Sequence, residues 1–320
     1  MIIRGISCRR VRAILGRSLV VLLGTLMVPS VRGQLLVARI SAPGTIAEYT
    51  TSGNLMNSSL ISGLNSPWGM AVDGNGHLFV ASGFGLYPDI IGEYTLSGAT
   101  VNASLITGLS RPMGLVLDGN GHLFVANVQA GTIGEYTTAG GVVNASLITG
   151  LTAPAALALD GSGHLFVASI GSPLATNGTV GEYTTAGGVV NASLITGLNQ
   201  PKGIALDGNG SLFVATQGNG TVGKYTTSGA AVSASLITGL NDPCSLTFDG
   251  NGNLFVVNEG NTAGAGSIGE YTASGDAVNA SLISGLTLPV NIVVVPEPSS
   301  VCLGLVGLTL WFWRRKRVRT

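Results

Sequence analysis

Residues 112–148 read PMGLVLDGNGHLFVANVQAGTIGEYTTAGGVVNASLI, four short runs rich in Val, Ile, Leu, Phe and Tyr divided by glycine-containing turns. Asp118-Gly119-Asn120-Gly121 separates the first two runs, and Thr138-Ala139-Gly140-Gly141 the last two. Asp-Gly, Asn-Gly and Gly-Gly tolerate the positive φ of tight hairpins, so the stretch predicts four antiparallel strands. Its end echoes along the chain. Ala103–Leu109 returns at Ala145–Leu151, Ala192–Leu198 and Ala234–Leu240, with altered copies at Ser58–Leu64 and Ala280–Leu286. Measured on the last Leu of each copy, the steps are 45, 42, 47, 42 and 46 residues. That period is too long for a β-helix coil and suits a four-stranded propeller blade.

Counting strands closes a ring. The third-strand tyrosine occurs six times, at Tyr49, Tyr94, Tyr136, Tyr183, Tyr225 and Tyr271, whereas the Asp-Gly-x-Gly turn occurs five times, at Asp73, Asp118, Asp160, Asp207 and Asp249. Leu35–Ile40 begins at a second strand, and Val290–Val295 is a solitary first strand at the far end. Their pairing predicts an all-β, six-bladed β-propeller over residues 34–295. Closure removes the exposed edges of an open sheet. No part of that span shows sustained helical periodicity.

The repeats resemble the NHL family of β-propeller repeats. The resemblance lies in Pro-x-Gly entering a strand (Pro67/Gly69, Pro112/Gly114, Pro201/Gly203) and in strands such as Leu78-Phe79-Val80-Ala81. Pro154, Pro243 and Pro289 keep the proline without the glycine. Where NHL sequences often carry Asp at the end of the second strand, this chain has Ser82, Asn127, Ser169, Thr216 and Asn258, which weakens any inherited polar site.

The two ends differ from the middle. Residues 1–33 contain six arginines, an apolar run from Ser18 to Val28, and small residues at Val31 and Gly33, the pattern of a cleaved secretory signal helix. Arg9-Arg10 leaves a twin-arginine route as the alternative. At the other end, Pro296-Glu297-Pro298 precedes an apolar run to Trp313 and the basic cluster Arg314, Arg315, Lys316 and Arg317. Residues 296–320 closely resemble the PEP-CTERM sorting signal of Gram-negative bacteria. The resemblance implies recognition by an exosortase-type membrane protease, cleavage near Pro296, Glu297 and Pro298, and delivery from the inner membrane and periplasm to the cell surface or extracellular matrix. Ser299–Trp313 is 15 residues, short of the roughly 20 that span a bilayer comfortably. It suits a transient transmembrane helix, with the basic cluster as a cytoplasmic membrane stop.

Overall neutrality is a product of these ends. Residues 34–295 hold four basic residues, Arg39, Arg111, Lys202 and Lys224, against fourteen acidic ones. So acidic a domain lacks the cationic surface that nucleic-acid binding requires. Cys244 is its one cysteine, so no intrachain disulfide staples it and packing must stabilise it.

Alternating strand direction puts the first-to-second and third-to-fourth turns on one face, where sequence is nearly constant. The second-to-third loops and inter-blade links share the other face, where length and sequence vary. Variation on one face of a rigid scaffold marks a binding surface or drifting loops. The unrepeated Trp68, Arg111, Lys202 and Asp242 fall there and are the partner-binding candidates, for a protein or an extracellular polysaccharide. Both termini are expected on the constant face, so the variable face would point away from the membrane.

Catalytic chemistry is hard to assemble from these residues. His77, His122 and His164 occupy one repeat position in different blades and read as turn packing, and Glu93, Glu135, Glu182 and Glu270 as repeated scaffold. Asp-Gly-Asn-Gly resembles half a calcium loop but lacks the downstream bidentate acid. Six-bladed relatives with lactonase or lyase activity place acids, Asn or His around the axis. Here Trp68, Met113, Ala155, Lys202, Cys244 and Val290 follow the entering prolines. The alternative, a metal-dependent lactonase-like or lyase-like enzyme, would have to recruit Asp242, Glu259, Asn127 and Asn258. Cys244 without a histidine on its face lacks a base. The expectation is a non-catalytic, surface-displayed propeller with no cofactor; bulk matrix material is a third reading.

Overall fold

A computed structural model describes residues 33–296 apart from 42, 84, 86 and 173–175. The signal segment through Arg32, and Glu297, Pro298, Arg314, Arg315, Lys316 and Arg317 of the sorting tail, lie outside the described residues. Six four-stranded antiparallel sheets follow one another around a ring. The first combines β1 (Gln34–Arg39), β2 (Gly44–Thr50) and β3 (Leu55–Leu64) with the last strand, β24 (Pro289–Val295), in the order β24-β1-β2-β3. Blade two is β4 (Pro67–Val72), β5 (His77–Ser82), β6 (Ile90–Thr95) and β7 (Thr100–Ile106). Blade three is β8 (Pro112–Leu117), β9 (His122–Asn127), β10 (Thr132–Thr137) and β11 (Val142–Ile148). Blade four is β12 (Pro154–Leu159), β13 (His164–Ser169), β14 (Gly178–Thr184) and β15 (Val189–Leu198). Blade five is β16 (Pro201–Leu206), β17 (Ser211–Thr216), β18 (Thr221–Thr226) and β19 (Ala231–Ile237). Blade six is β20 (Pro243–Phe248), β21 (Asn253–Asn258), β22 (Gly266–Thr272) and β23 (Ala277–Leu286). The expected closure is present: β1 and β24 pair antiparallel from Gln34↔Val295 to Ala38↔Asn291.

The turns form for local reasons. Asp118 Oδ1 accepts the backbone N–H groups of Asn120 at 2.7 Å and His122 at 3.0 Å. Gly121 then takes φ 96°, which a Cβ would oppose. Asp73, Asp160, Asp207 and Asp249 repeat this closure.

The core lies between blades, not within them. Leu35, Val37 and Ile292 of the first blade pack against Phe255, Val257 and Ile268 of the sixth, and five equivalent clusters complete the circle. Phe79, Phe124, Phe166, Phe213 and Phe255 hold one repeat position and are fully buried, with Leu36 in the first blade. The first strands converge on the axis. A Cβ on Gly69 would come within 1.8 Å of the Met113 carbonyl oxygen, which explains the glycine of the Pro-x-Gly motif.

Candidate functional site

The residue before each entering proline turns the chain from an outer strand back to the axis. Ser66, Arg111, Ala153, Gln200, Asp242 and Leu288 all take left-handed conformations, with φ between 47° and 56°. That geometry is doubly disfavoured, because these residues carry side chains and precede proline. Backbone hydrogen bonds hold five of the turns in place. Val128, Ile170, Gln217, Glu259 and Ile40 donate their N–H groups to the carbonyls of Arg111, Ala153, Gln200, Asp242 and Leu288 at 3.0–3.2 Å. Each bond ties an inter-blade link to a second-to-third loop, so the variable face is a stiffened rim.

Inside this rim lies a cavity of about 520 Å³ lined by Trp68, Arg111, Met113, Val128, Ile170 and Lys202, among others. Two of the four cations of residues 34–295 therefore share one hollow with a tryptophan. Lys202 Nζ stands 3.5 Å from Glu259 Oε2, which also accepts a hydrogen bond from Gln217 Nε2 at 3.3 Å. Asp89 Oδ2 accepts the Arg111 backbone N–H at 2.8 Å. Of the four binding candidates, Trp68, Arg111 and Lys202 come together. Asp242 sits at the link into the sixth blade and does not line the cavity. Val128 and Ile170 open second-to-third loops that the sequence places on the variable face by their length variation, without singling out either residue.

A second cavity of about 150 Å³ shares Trp68, Met113 and Lys202 with the hollow and is lined by first-strand residues including Met70, Ile204, Cys244 and Ile292. Cys244 is buried, and its Sγ is 3.6–3.7 Å from the carbonyl oxygens of Val257, Pro289 and Val290. Burial, reinforced by the Glu259 carboxylate, pushes its thiol far above the ordinary cysteine range. It remains an S–H donor without nucleophilic character. Asn291 Oδ1 is buried in the wall of this cavity with no hydrogen-bond partner among the described residues.

On the constant face each histidine bridges its turn Asp and a third-strand Glu. His122 Nδ1 lies 2.7 Å from Glu135 Oε1 and 3.9 Å from Asp118 Oδ2. His77 Nδ1 is 3.4 Å from both Asp73 and Glu93, and His164 Nδ1 is 3.0 Å from Asp160 and 3.5 Å from Glu182. Burial alone would raise the carboxyls of Asp73 and Asp118. The N–H groups of His77 and Asn75, and of His122 and Asn120, outweigh it and hold them below the usual range. In the sixth blade Asn253 replaces histidine, and burial with the nearby Asp249 carboxylate pushes Glu270 up. The joint change of His to Ser211 and Glu to Lys224 in blade five is the sequence signal that betrays this pairing.

Gly33 and Pro296 line one depression with Thr51 and the Asp249-Gly250-Asn251 turn. Both ends of the ring therefore leave from the constant face. Among the described residues, no group of three or more His, Cys, Asp and Glu is arranged to hold a metal ion, and no helix is long and apolar enough to cross a membrane.

Residues 86–302 match the model of the virginiamycin B lyase family. Residues 294–317 match the PEP-CTERM protein-sorting motif. No curated protein matches the chain. A chain from the crystal structure of a nidogen/laminin complex is similar, with a TM-score of 0.68 at 18% identity, over 83% of this chain and 99% of that one. At that identity the likeness speaks for the fold alone.

Proposed function

This chain belongs to the virginiamycin B lyase family, and from that premise we propose that it acts as an exported, surface-displayed binding propeller. Its PEP-CTERM motif marks it for export and for processing by an exosortase, a membrane protease. In this reading residues 1–33 are removed as a signal peptide, residues 296–320 form the sorting segment with its transient membrane helix, and residues 34–295 are the mature domain. The carrying observation is the opposition of two faces: the termini leave beside the Asp249 turn, while Trp68, Arg111 and Lys202 share a hollow at the other rim. With the tail leaving the constant face, the hollow would point away from the membrane until processing releases the domain.

The hollow suits the apolar C–H face of a saccharide ring or a peptide side chain laid on Trp68, with Arg111 and Lys202 placed for polar or anionic groups. The test is a glycan array and a pull-down of matrix polysaccharide with the exported protein and its Trp68→Ala/Lys202→Ala variant. Loss of about tenfold in affinity, equivalent to roughly 1.4 kcal/mol, is expected with surface display unchanged. Equal retention by both proteins would point to bulk matrix material.

Family membership favours a second reading, a metal-assisted lyase. Two of its four candidate donors are held by other contacts. Glu259 is engaged by Lys202 and Gln217. Asn127 accepts the Ser110 N–H and donates to Thr132. Stoichiometric metal in the exported protein, abolished by Glu259→Gln, would restore that reading.

A further inference from the structure

The outermost strand of every blade presents an edge that pairs with no other strand among the described residues. These six strands, β3, β7, β11, β15, β19 and β23, contain no Asp, Glu, Lys or Arg, although the domain is acidic. They expose aliphatic side chains instead, with Val142 and Val189 each 66% accessible. Such edges invite pairing with other chains unless something covers them.

Five of the six strands carry the tripeptide Asn-x-Ser at one place: Asn57-Ser58-Ser59, Asn102-Ala103-Ser104, Asn144-Ala145-Ser146, Asn191-Ala192-Ser193 and Asn279-Ala280-Ser281. In blade five Ser233 replaces the asparagine. All five asparagines and their serines are exposed. The register shows why. Glu135 pairs with Asn144 and Ile133 with Ile148, so four steps of β11 face two of β10 and the segment bulges outward. The same bulge recurs in blades one, two, four and six. Each Asn Oδ1 accepts the backbone N–H of the serine two residues on, at 3.0–3.2 Å. This bond explains the asparagine carbonyl. It uses neither the Asn amide nitrogen nor the Ser hydroxyl, for which the described residues offer no hydrogen bond.

We infer that Asn57, Asn102, Asn144, Asn191 and Asn279 are acceptor sites for an asparagine-linked glycan. Asn-x-Ser on an exposed segment of an exported chain is the pattern that such transfer requires. The donor class is a polyprenyl-diphosphate-linked saccharide. The amide Nδ2 forms a bond to the anomeric carbon, the bond from that carbon to the diphosphate breaks, polyprenyl diphosphate leaves, and the amide proton passes to a base of the transferase. Nothing is oxidised or reduced. A hydrophilic chain on each bulge would shield the uncharged edge beside it.

The test is peptide mass spectrometry of the protein recovered from the surface of the bacterium that encodes it. Saccharide mass on the five asparagines is expected, with the Ser233 peptide unmodified. In the Ser59→Ala/Ser104→Ala/Ser146→Ala/Ser193→Ala/Ser281→Ala variant all five increments should vanish. Its thermal midpoint after enzymatic deglycosylation should equal that of wild type treated alike, because alanine keeps the backbone N–H that Asn Oδ1 needs. Ser146→Ala alone should remove the increment from Asn144 only. Recovery of all five wild-type peptides at unmodified mass overturns the inference, as does saccharide found on serine. Neither outcome touches the binding reading of the opposite hollow.

Discussion

Val295 pairs with Gln34, so the last residue of the closing strand meets the first residue of β1 one position before Pro296 of the Pro-Glu-Pro tripeptide. The closure and the exit point of the tail are one structural feature. Sequence-distant ends therefore carry the cooperativity of the whole ring.

Removing β24 should abolish folding of the domain. Val290, Ile292 and Val295 are all buried, and each contributes roughly 1.5–3 kcal/mol, against a total stability of about 5–15 kcal/mol. Truncation before Pro289 is expected to give a protease-sensitive product without a cooperative thermal transition. A truncated chain that melts like wild type would show that closure contributes little.

Phe124 and Val142 test where the core lies. Phe124→Ala removes a fully buried ring between blades and should cost about 3–5 kcal/mol in chemical denaturation. Val142→Thr, on the exposed edge, should change stability by no more than about 0.5 kcal/mol. Similar losses at both would contradict inter-blade packing as the main source of stability.

Two glycines separate crowding from chain freedom. Gly69→Ala would drive its Cβ into the Met113 carbonyl, whereas Gly74→Ala meets nothing within 4 Å and carries no left-handed φ. The first should destabilise severely or prevent soluble expression. The second should leave the melting temperature within a degree or two, an effect of well under about 1 kcal/mol.

Stability should fall at both pH extremes for different reasons. Burial raises the phenols of Tyr49, Tyr94, Tyr136, Tyr183, Tyr225 and Tyr271. A raised folded pKa means the stabilisation is complete below the unfolded value, about 10, and is lost as pH rises past it. Asp73, Asp118 and Asp160 are depressed by hydrogen bonds from their own turns despite opposing burial. Their contribution is present above about pH 4 and disappears as pH falls through the lower folded values. Urea midpoints should form a plateau bounded by these two slopes. A midpoint that rises between pH 10 and 11 would count against the tyrosine assignment.

Releasing Lys202 should tune the hollow. Glu259→Gln removes the carboxylate 3.5 Å from its ammonium and makes the cavity more positive, so affinity for an acidic saccharide should increase and its salt dependence steepen. Titration at two ionic strengths measures both. An unchanged salt slope would mean that Lys202 does not face the ligand.

Much of this was legible in the chain because its determinants are local. The Asp118 turn, the hairpin glycines and the four apolar runs each lie within one blade, and their recurrence counts the blades. The His122–Glu135 contact was less visible. Two repeated residues drew separate readings until antiparallel register brought them side by side. The left-handed turns at Arg111 and Asp242 give no composition signal, since the residues before the prolines differ in every blade.

The order of residues alone determined the blade, the number of blades and the completion of the first by the last strand, because hairpin chemistry depends on near neighbours and the repeat can be counted along the chain. Only the tertiary structure decided that Trp68 and Lys202, 134 positions apart, line one hollow with Arg111 while Asp242 stays outside. That outcome depends on how blades converge around an axis and how loops of unequal length fold over it, and no local rule encodes either.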